Sequence, residues 1–485
     1  MSNKPEYEIV VGLEVHARLL TKSKLFCGDS SVFGDEPNTN ISTITLAHPG
    51  TLPKMNREAI AFAVKLGLAC HSDIEKHNYF ARKNYFYPDL PKGYQVSQHT
   101  TPICKGGYVT IKTPLSEKNV RLNRIHMEED AGKSLHDVYT NETALDYNRA
   151  GVALLEIVTE PDIRSGDEAA AYLTELRKLV RYLEICDGNM EEGSLRCDAN
   201  VSVRRVGDEK LGTKVEVKNL NSIRNVKTAI EFEADRLIGL LEKGETVLQQ
   251  TRSFDAMNAS TFAIRDKEDA EDYRYFPEPD LTPFALTDDF INSIKETIPV
   301  LQKQRIEKYI ASYQLGVYDS NALTEEKEFA DYFEQLVQLN NVAIKPKSAA
   351  NWMLGPVKTW LNEKNKAISD FPIKPGRLFQ LIKLVEENKL SFSVASSKVF
   401  SLLLDNPELD AETAAAKMDL IMDSNSDAIL PIADAVLLQF QDKVNDYKKG
   451  KKGLLSLFVG EVIKRSKGKA DPKIVNEILI QKLNK

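Results

Sequence analysis

Three short stretches of this sequence alternate apolar and polar residues, and the polar members are of types that hold cations and phosphates. Leu13, Val15, Ala17 and Leu19 alternate with Glu14, His16 and Arg18. Leu195, Cys197, Ala199, Val201 and Val203 alternate with Arg196, Asp198, Asn200, Ser202 and Arg204. Val215 and Val217 alternate with Lys214, Glu216 and Lys218. A period of two marks a strand whose successive side chains point to opposite faces. Each stretch therefore offers one face to a core and one face of carboxylates, cations, an amide and an imidazole. If the three share a sheet, Glu14, His16, Asp198 and Glu216 can surround a divalent cation. Arg196, Asn200, Lys214 and Lys218 are then candidates to meet phosphate or substrate. An oxygen-rich set with one imidazole suits Mg²⁺ or Mn²⁺ better than zinc.

The segment HMEEDAGKS (126–134) adds three consecutive acids, Glu128, Glu129 and Asp130, with Lys133 close behind. Adjacent carboxylates repel unless a cation or water lies between them. A solvated acidic turn explains such a run alone, and several ligand-rich strands together favour a site. Gly132-Lys133-Ser134 looks like the tail of a P-loop, but Met127 stands where its first glycine belongs and acids fill the loop. Carboxylates there repel the phosphates that backbone amides should cradle, so a P-loop is rejected. GxGxxG, HExxH and GxSxG are all absent.

The stretch RKNYFYPDLPKGYQVSQ (82–98) places Lys83 and Lys92 among Tyr85, Phe86, Tyr87 and Tyr94. Cations interleaved with aromatics suit a nucleotide. A structural loop of packed tyrosines and solvated lysines reads equally well.

These residues need elements to position them. Helices are expected from Asn56 to Leu68, from Ser165 to Leu183 and from Ser222 to Lys243, the last two behind serine caps. Gly106-Gly107, Pro91-Lys92-Gly93 and Asp187-Gly188-Asn189 punctuate short strands. Three prolines between Pro277 and Pro283 mark an extended linker. Beyond about 296 the period becomes 3.6. Phe329, Tyr332, Phe333, Leu336 and Val337 form one stripe, and Leu378, Leu381, Ile382 and Val385 form another. Such stripes are read as the core of an all-helical domain. A break at Asp405-Asn406-Pro407 precedes a last helical piece, with a turn at Gly468 to Pro472.

The expected architecture is α+β: a sheet-based cradle over residues 1–295, a helical domain over 296–408 and a small all-α tail over 409–485. A length of 485 residues exceeds one core, and 42% apolar with 28% charged residues excludes a disordered chain. No apolar run reaches the roughly 18 residues of a membrane span. The first residues lack the pattern of a signal peptide. Five cysteines without CxxC spacing suit reduced thiols. A cytoplasmic protein is expected, without a membrane partner. From Lys443 onward twelve Lys/Arg face four Asp/Glu, a local balance of +8 in a chain of net charge −7. A basic end on an acidic body suits a polyanion, although solvated helices account for the charge as well.

The segments already quoted, together with YNRAGVALLEIVTEPDIRS (147–165), EEGSLRCDANVSVR (191–204), KVEVKNLNS (214–222) and DYRYFPEPD (272–280), resemble one family along essentially the whole chain. It is that of the B subunits of the aspartyl/glutamyl-tRNA amidotransferases. The resemblance implies a carbon–nitrogen ligase with glutamine as amido donor, working as a heterotrimer. An amidase, the A subunit, releases ammonia, and a small C subunit stabilises the assembly. The B subunit binds misacylated Glu-tRNA(Gln) or Asp-tRNA(Asn), phosphorylates the side-chain carboxylate with ATP and Mg²⁺, and uses the ammonia to form the amide. Glu14, His16, Glu129, Asp198 and Glu216 are similar to the family's magnesium and kinase positions, with Glu128 adjacent. Lys83 and Lys92 resemble residues near the ammonia path, or serve as phosphate contacts. Many members carry a cysteine quartet, of which only Cys27 stands here. Asp29 replaces the second, and 41–50 holds none, so no zinc is expected.

Overall fold

The computed structural model describes residues 6–113, 117–136, 140–266, 273–339, 344–421, 426–466, 470 and 472–484. The turn expected at Gly468 to Pro472 lies largely outside them, as does Asp272. The chain divides into two compact units, 1–301 and 302–485.

The first unit is built on one large sheet. Its strands include β1 (Tyr7–Arg18), β2 (Ala81–Asn84), β3 (Tyr94–Ser97), β4 (Glu117–Glu129) and β5 (Ala153–Thr159). They continue with β6 (Leu195–Arg205), β7 (Val215–Leu220), β8 (Gln250–Asp255), β9 (Ser260–Asp266) and β10 (Phe276–Pro277). The order across the sheet is β9-β8-β7-β6-β1-β5-β4-β3-β2-β10. Neighbours are antiparallel except β7 and β8, which run parallel.

The period of two has the expected result. Leu13, Val15, Ala17, Ala199, Val201, Val215 and Val217 are fully buried, while Glu14, His16, Asp198 and Asn200 on the other face are half-buried. The apolar face is covered by α1 (Arg57–Ala69), α2 (Gly166–Tyr182) and α3 (Ile223–Glu242). Their starts follow from local chemistry. Asn56 accepts from the Glu58 amide, Ser165 from Glu168 and Ser222 from Asn225, so each caps the free N–H groups of a first turn. Gly107 shows why a glycine stands in one turn: its φ is +90°, and a Cβ there would lie 2.5 Å from the Cys70 carbonyl oxygen.

The proline-rich segment expected as a linker is extended but bonded to the sheet. Phe276 and Pro277 pair with Arg82 and Ala81, and Glu278 takes two hydrogen bonds of 2.7 Å from the Arg82 guanidinium.

The second unit is all helical and has two cores. The stripe of Phe329, Tyr332, Phe333, Leu336 and Val337 on α4 (Lys327–Gln338) is buried with Trp352, Leu378, Leu381 and Ile382. This core extends through Ala411, Ala414, Ala415 and Leu420. A separate cluster joins Ile429, Val436, Phe458, Val475 and Leu479. No helix among the described residues is long and apolar enough to cross a membrane.

Candidate active site

Strand order decides which polar residues meet. His16 on β1 stands opposite Glu156 on β5 and opposite Arg196 on β6, and Glu156 stands opposite His126 on β4. Directly opposed residues share a face. Glu128 lies two residues beyond His126 and pairs with Ser97. The result is a row of ionisable side chains across four strands, Arg196, His16, Glu156 and His126.

The distances are short. His16 Nε2 lies 3.3 Å from Glu156 Oε2, and His126 Nε2 lies 3.1 Å from Glu128 Oε1 and 3.6 Å from Glu156 Oε2. Ser97 Oγ donates to Glu128 Oε1 at 2.6 Å, and Gln95 Nε2 to Glu128 Oε2 at 3.0 Å. The Arg124 guanidinium donates to His126 Nδ1 at 3.4 Å. That bond leaves the imidazole proton on Nε2, where it is donated to Glu128. His16, Glu128 and Glu156 each offer a ligand atom within 4.8 Å of the others.

Burial works against ionising both acids, and in Glu128 the neighbouring Glu156 works in the same direction. Hydrogen bonding to His126 and the charge of Lys83 outweigh both, and hold its carboxyl below the ordinary range. For Glu156, burial is likewise overcome, by His126 first and then His16, so this carboxyl is held far down. Lys83 stands beside this row, paired through Gln95. Its Nζ lies 5.1 Å from the Tyr273 ring centre and 6.0 Å from that of Tyr85. Burial lowers its pKa, but the charges of Glu128, Tyr275 and Glu156 together outweigh that and raise it, so Lys83 is a cation at neutral pH. Tyr275, stacked on His99 at 3.9 Å, completes this aromatic wall.

The other expected residues fall elsewhere. Glu14, Asp198, Asn200, Glu216 and Lys218 form a second cluster on the same face. Asn200 Nδ2 donates to Glu14 at 2.9 Å, and Lys218 Nζ contacts Asp198 at 2.6 Å and Glu216 at 3.1 Å. Glu129 turns to the opposite face from Glu128. It is 2% exposed, pairs with Lys92 at 2.6 Å and accepts from the Val96 amide. Arg196 is bound to Asp130 at 2.9 Å, and Lys214 is exposed.

The expected five-residue metal set is therefore spread over three sites. Among the described residues, the donors that converge are His16, Glu128 and Glu156. Glu156 and His126 were not foreseen, and Asp130 was expected only as a member of the acidic run 128–130. Glu156 did leave a signal, since it is the one charge within the apolar strand ALLEIVT.

Asp130 gives a testable pH effect. Burial raises its pKa, but Arg196 and Arg149 lower it more, so the folded carboxyl titrates below the unfolded one. Its contribution to stability is complete above the unfolded pKa of about 3.9 and is lost as pH falls through the lower folded value. Asp130→Asn is expected to lower stability at pH 7 and to flatten its decline in acid, as read by urea unfolding from pH 7 to pH 2.5. Parallel pH curves for the two proteins would refute this.

Two acids and two imidazoles thus lie together over the β-sheet, with Lys83 beside them. Comparison with known proteins gives the class. Residues 9–292 match the model of the GatB/GatE catalytic domain, and residues 331–483 match the GatB domain. The chain is 46% identical over 476 residues to the B subunit of the aspartyl/glutamyl-tRNA(Asn/Gln) amidotransferase of Thermodesulfovibrio yellowstonii, covering 98% of this chain and 99% of that one. It is 48% identical over 478 residues to the corresponding protein of Chlorobium luteolum, covering 99% of both. That of Rickettsia bellii is 45% identical over 483 residues, covering 99% of both. The chain belongs to the family of amidotransferase B subunits.

Proposed function

We propose that this chain is the tRNA-binding, ATP-dependent subunit of a multi-subunit, glutamine-dependent amidotransferase acting in the cytoplasm. Its substrates are then misacylated Glu-tRNA(Gln) or Asp-tRNA(Asn), and its partners an amidase and a small third subunit. The observation that carries this reading is the convergence of His16, Glu128 and Glu156 beside the half-buried cation Lys83. Two carboxylates and an imidazole fit a hard divalent ion such as Mg²⁺. Bound there, it supplies charge neutralisation to the phosphates of ATP.

In the first step a side-chain carboxylate oxygen of the aminoacyl group attacks the γ-phosphorus of ATP. The bond to the bridging oxygen breaks and ADP leaves. In the second, ammonia attacks the acyl carbon, inorganic phosphate departs with the electron pair of the C–O bond, and a proton leaves nitrogen. Such phosphoryl transfer depends on positioning and charge neutralisation. Lys83 supplies a fixed positive charge, and His126 orients Glu128. Lys92 and Glu129 close a small cavity walled by Phe26, Cys27, Thr45 and Gly151. On this reading those two residues meet ammonia.

The assembled enzyme, supplied with ammonium in place of glutamine, tests the reading. Amide formation on the tRNA should still require ATP and a divalent ion. Amidation without ATP would instead make this chain a tRNA scaffold for a catalytic partner.

The basic end is assigned to tRNA. Because Ala411 to Leu420 belong to the middle core, a clean deletion begins at residue 426. Removing 426–485 is expected to weaken tRNA binding and to make log Kd against log salt shallower, since each phosphate contact contributes roughly 0.7 to 0.9 to the slope. An unchanged slope would remove the electrostatic role.

A further inference from the structure

The loop between β1 and α1 is held by four side chains from two short turns. The Cys27 thiol lies 3.5 Å from Thr45 Oγ1, and that hydroxyl donates to the Asp29 carboxylate. Burial raises the pKa of the Asp29 carboxyl, but the polar groups of Thr45, Ser42 and Cys27 beside it lower it more. The first turn is closed by the Lys24 amide donating to the Asp29 carbonyl at 3.0 Å and by pairing of Ser23 with Ser30. The second is closed by the Leu46 amide donating to the Ser42 carbonyl at 3.0 Å. One residue separates Cys27 from Asp29, and two separate Ser42 from Thr45. Two facing turns with two side chains each, closely spaced, are how structural tetrahedral metal sites are built. Here a single thiol is present, too few for such an ion, and the centre is filled by the Asp29 carboxylate.

Two features tie this cluster to the neighbouring cavity. Cys27 and Thr45 line it together with Lys92 and Glu129. Lys24, wholly buried, donates to the Tyr147 carbonyl at 3.3 Å, and the charges of Asp29 and Glu129 both act on its ammonium.

We propose that Cys27, Asp29, Ser42 and Thr45 form a metal-free knuckle, with Asp29 accepting the bonds that would otherwise converge on an ion. Asp29 is a positioning residue. It fixes the wall of the cavity ending at Lys92 and Glu129, and this functional part rests on the reading of that cavity given above.

The full chain carrying D29C/S42C/T45C, with the native Cys27, tests the geometry without any assay of activity. It should bind one zinc per chain, and the cobalt-substituted protein should show the absorption of tetrahedral thiolate coordination. Failure to bind stoichiometric metal, or an octahedral spectrum, would overturn the knuckle. Asp29→Asn provides a second reading. Amide hydrogen exchange should quicken at residues 24–31 and 42–48 and stay unchanged in 57–69, and unchanged exchange in the loop would count against the proposal. In the assembled enzyme, Asp29→Ala should lower glutamine-dependent amidation about tenfold, the scale of a lost supporting contact. The zinc-loaded triple variant should return to within about threefold of the native rate and lose that gain when stripped by a zinc-selective chelator. Equal rates with and without zinc would remove the positioning role and leave the metal result standing.

Discussion

Glu156→Gln is expected to lower ATP-dependent amidation with ammonium by at least a hundredfold, while tRNA affinity stays within about threefold. The substitution keeps the shape of a side chain that is buried between His16 and His126 but removes its charge. Loss of one preorganised electrostatic partner at a reacting centre commonly costs 10²–10³ in kcat, roughly 2.7–4 kcal/mol. Glu128→Gln should behave alike, since Ser97, Gln95 and His126 aim its oxygens into the same place. Glu14→Gln and Glu216→Gln, in the cluster around Lys218, should have the smaller effects. The order of the four defects is the informative measurement. If Glu14 or Glu216 gives the larger loss and Glu156 is near normal, the metal-competent trio is not the reacting centre.

Lys83→Met should lower kcat about a hundredfold and raise the KM for ATP, with two accompanying changes of opposite sense. Lys83 helps hold the carboxyls of Glu128 and Glu156 down. Without it both titrate higher, so the acid limb of the pH–rate profile moves to higher pH. At neutral pH, where the acids remain ionised, the site has lost one positive charge, and half-maximal rate should need less Mg²⁺. A purely structural loss of the aromatic wall would leave both the pH limb and the Mg²⁺ requirement where they were. Rescue by Lys83→Arg is expected to be partial, because a planar guanidinium does not place its charge where a compact ammonium does.

Much of this arrangement was legible in the residues themselves. The period of two in β1, β6 and β7 identified the strands and the face that each turns from the core. Ser165 and Ser222 marked two helix starts through their ability to accept amide protons, and the Asn56 cap appears only in the fold. The 3.6 period placed Phe333 and Leu336 inside a helical core. Strand order was not legible, because local patterning does not say which strand pairs with which. Only the placement of β5 between β1 and β4 joins Glu156 and His126 to His16. One misplacement was avoidable. Ile125 and Met127 face the core, so counting by twos puts Glu129 on their side and Glu128 on the other, whereas reading the acids as a block hid that alternation. Asp29 could not be read as the centre of a cluster, since its partners Ser42 and Thr45 arrive through the folding of a loop without repeating pattern.

A single strand, β1, contributes His16 to one charged cluster and Glu14 to the other. Their Cα atoms are separated by two residues of extended chain, about 6.8 Å, and hydrogen bonds on both sides prevent that spacing from stretching. The two clusters are thus marks on one ruler. Neither can swing toward the other, so any bound molecule that meets both clusters must itself move along the strand.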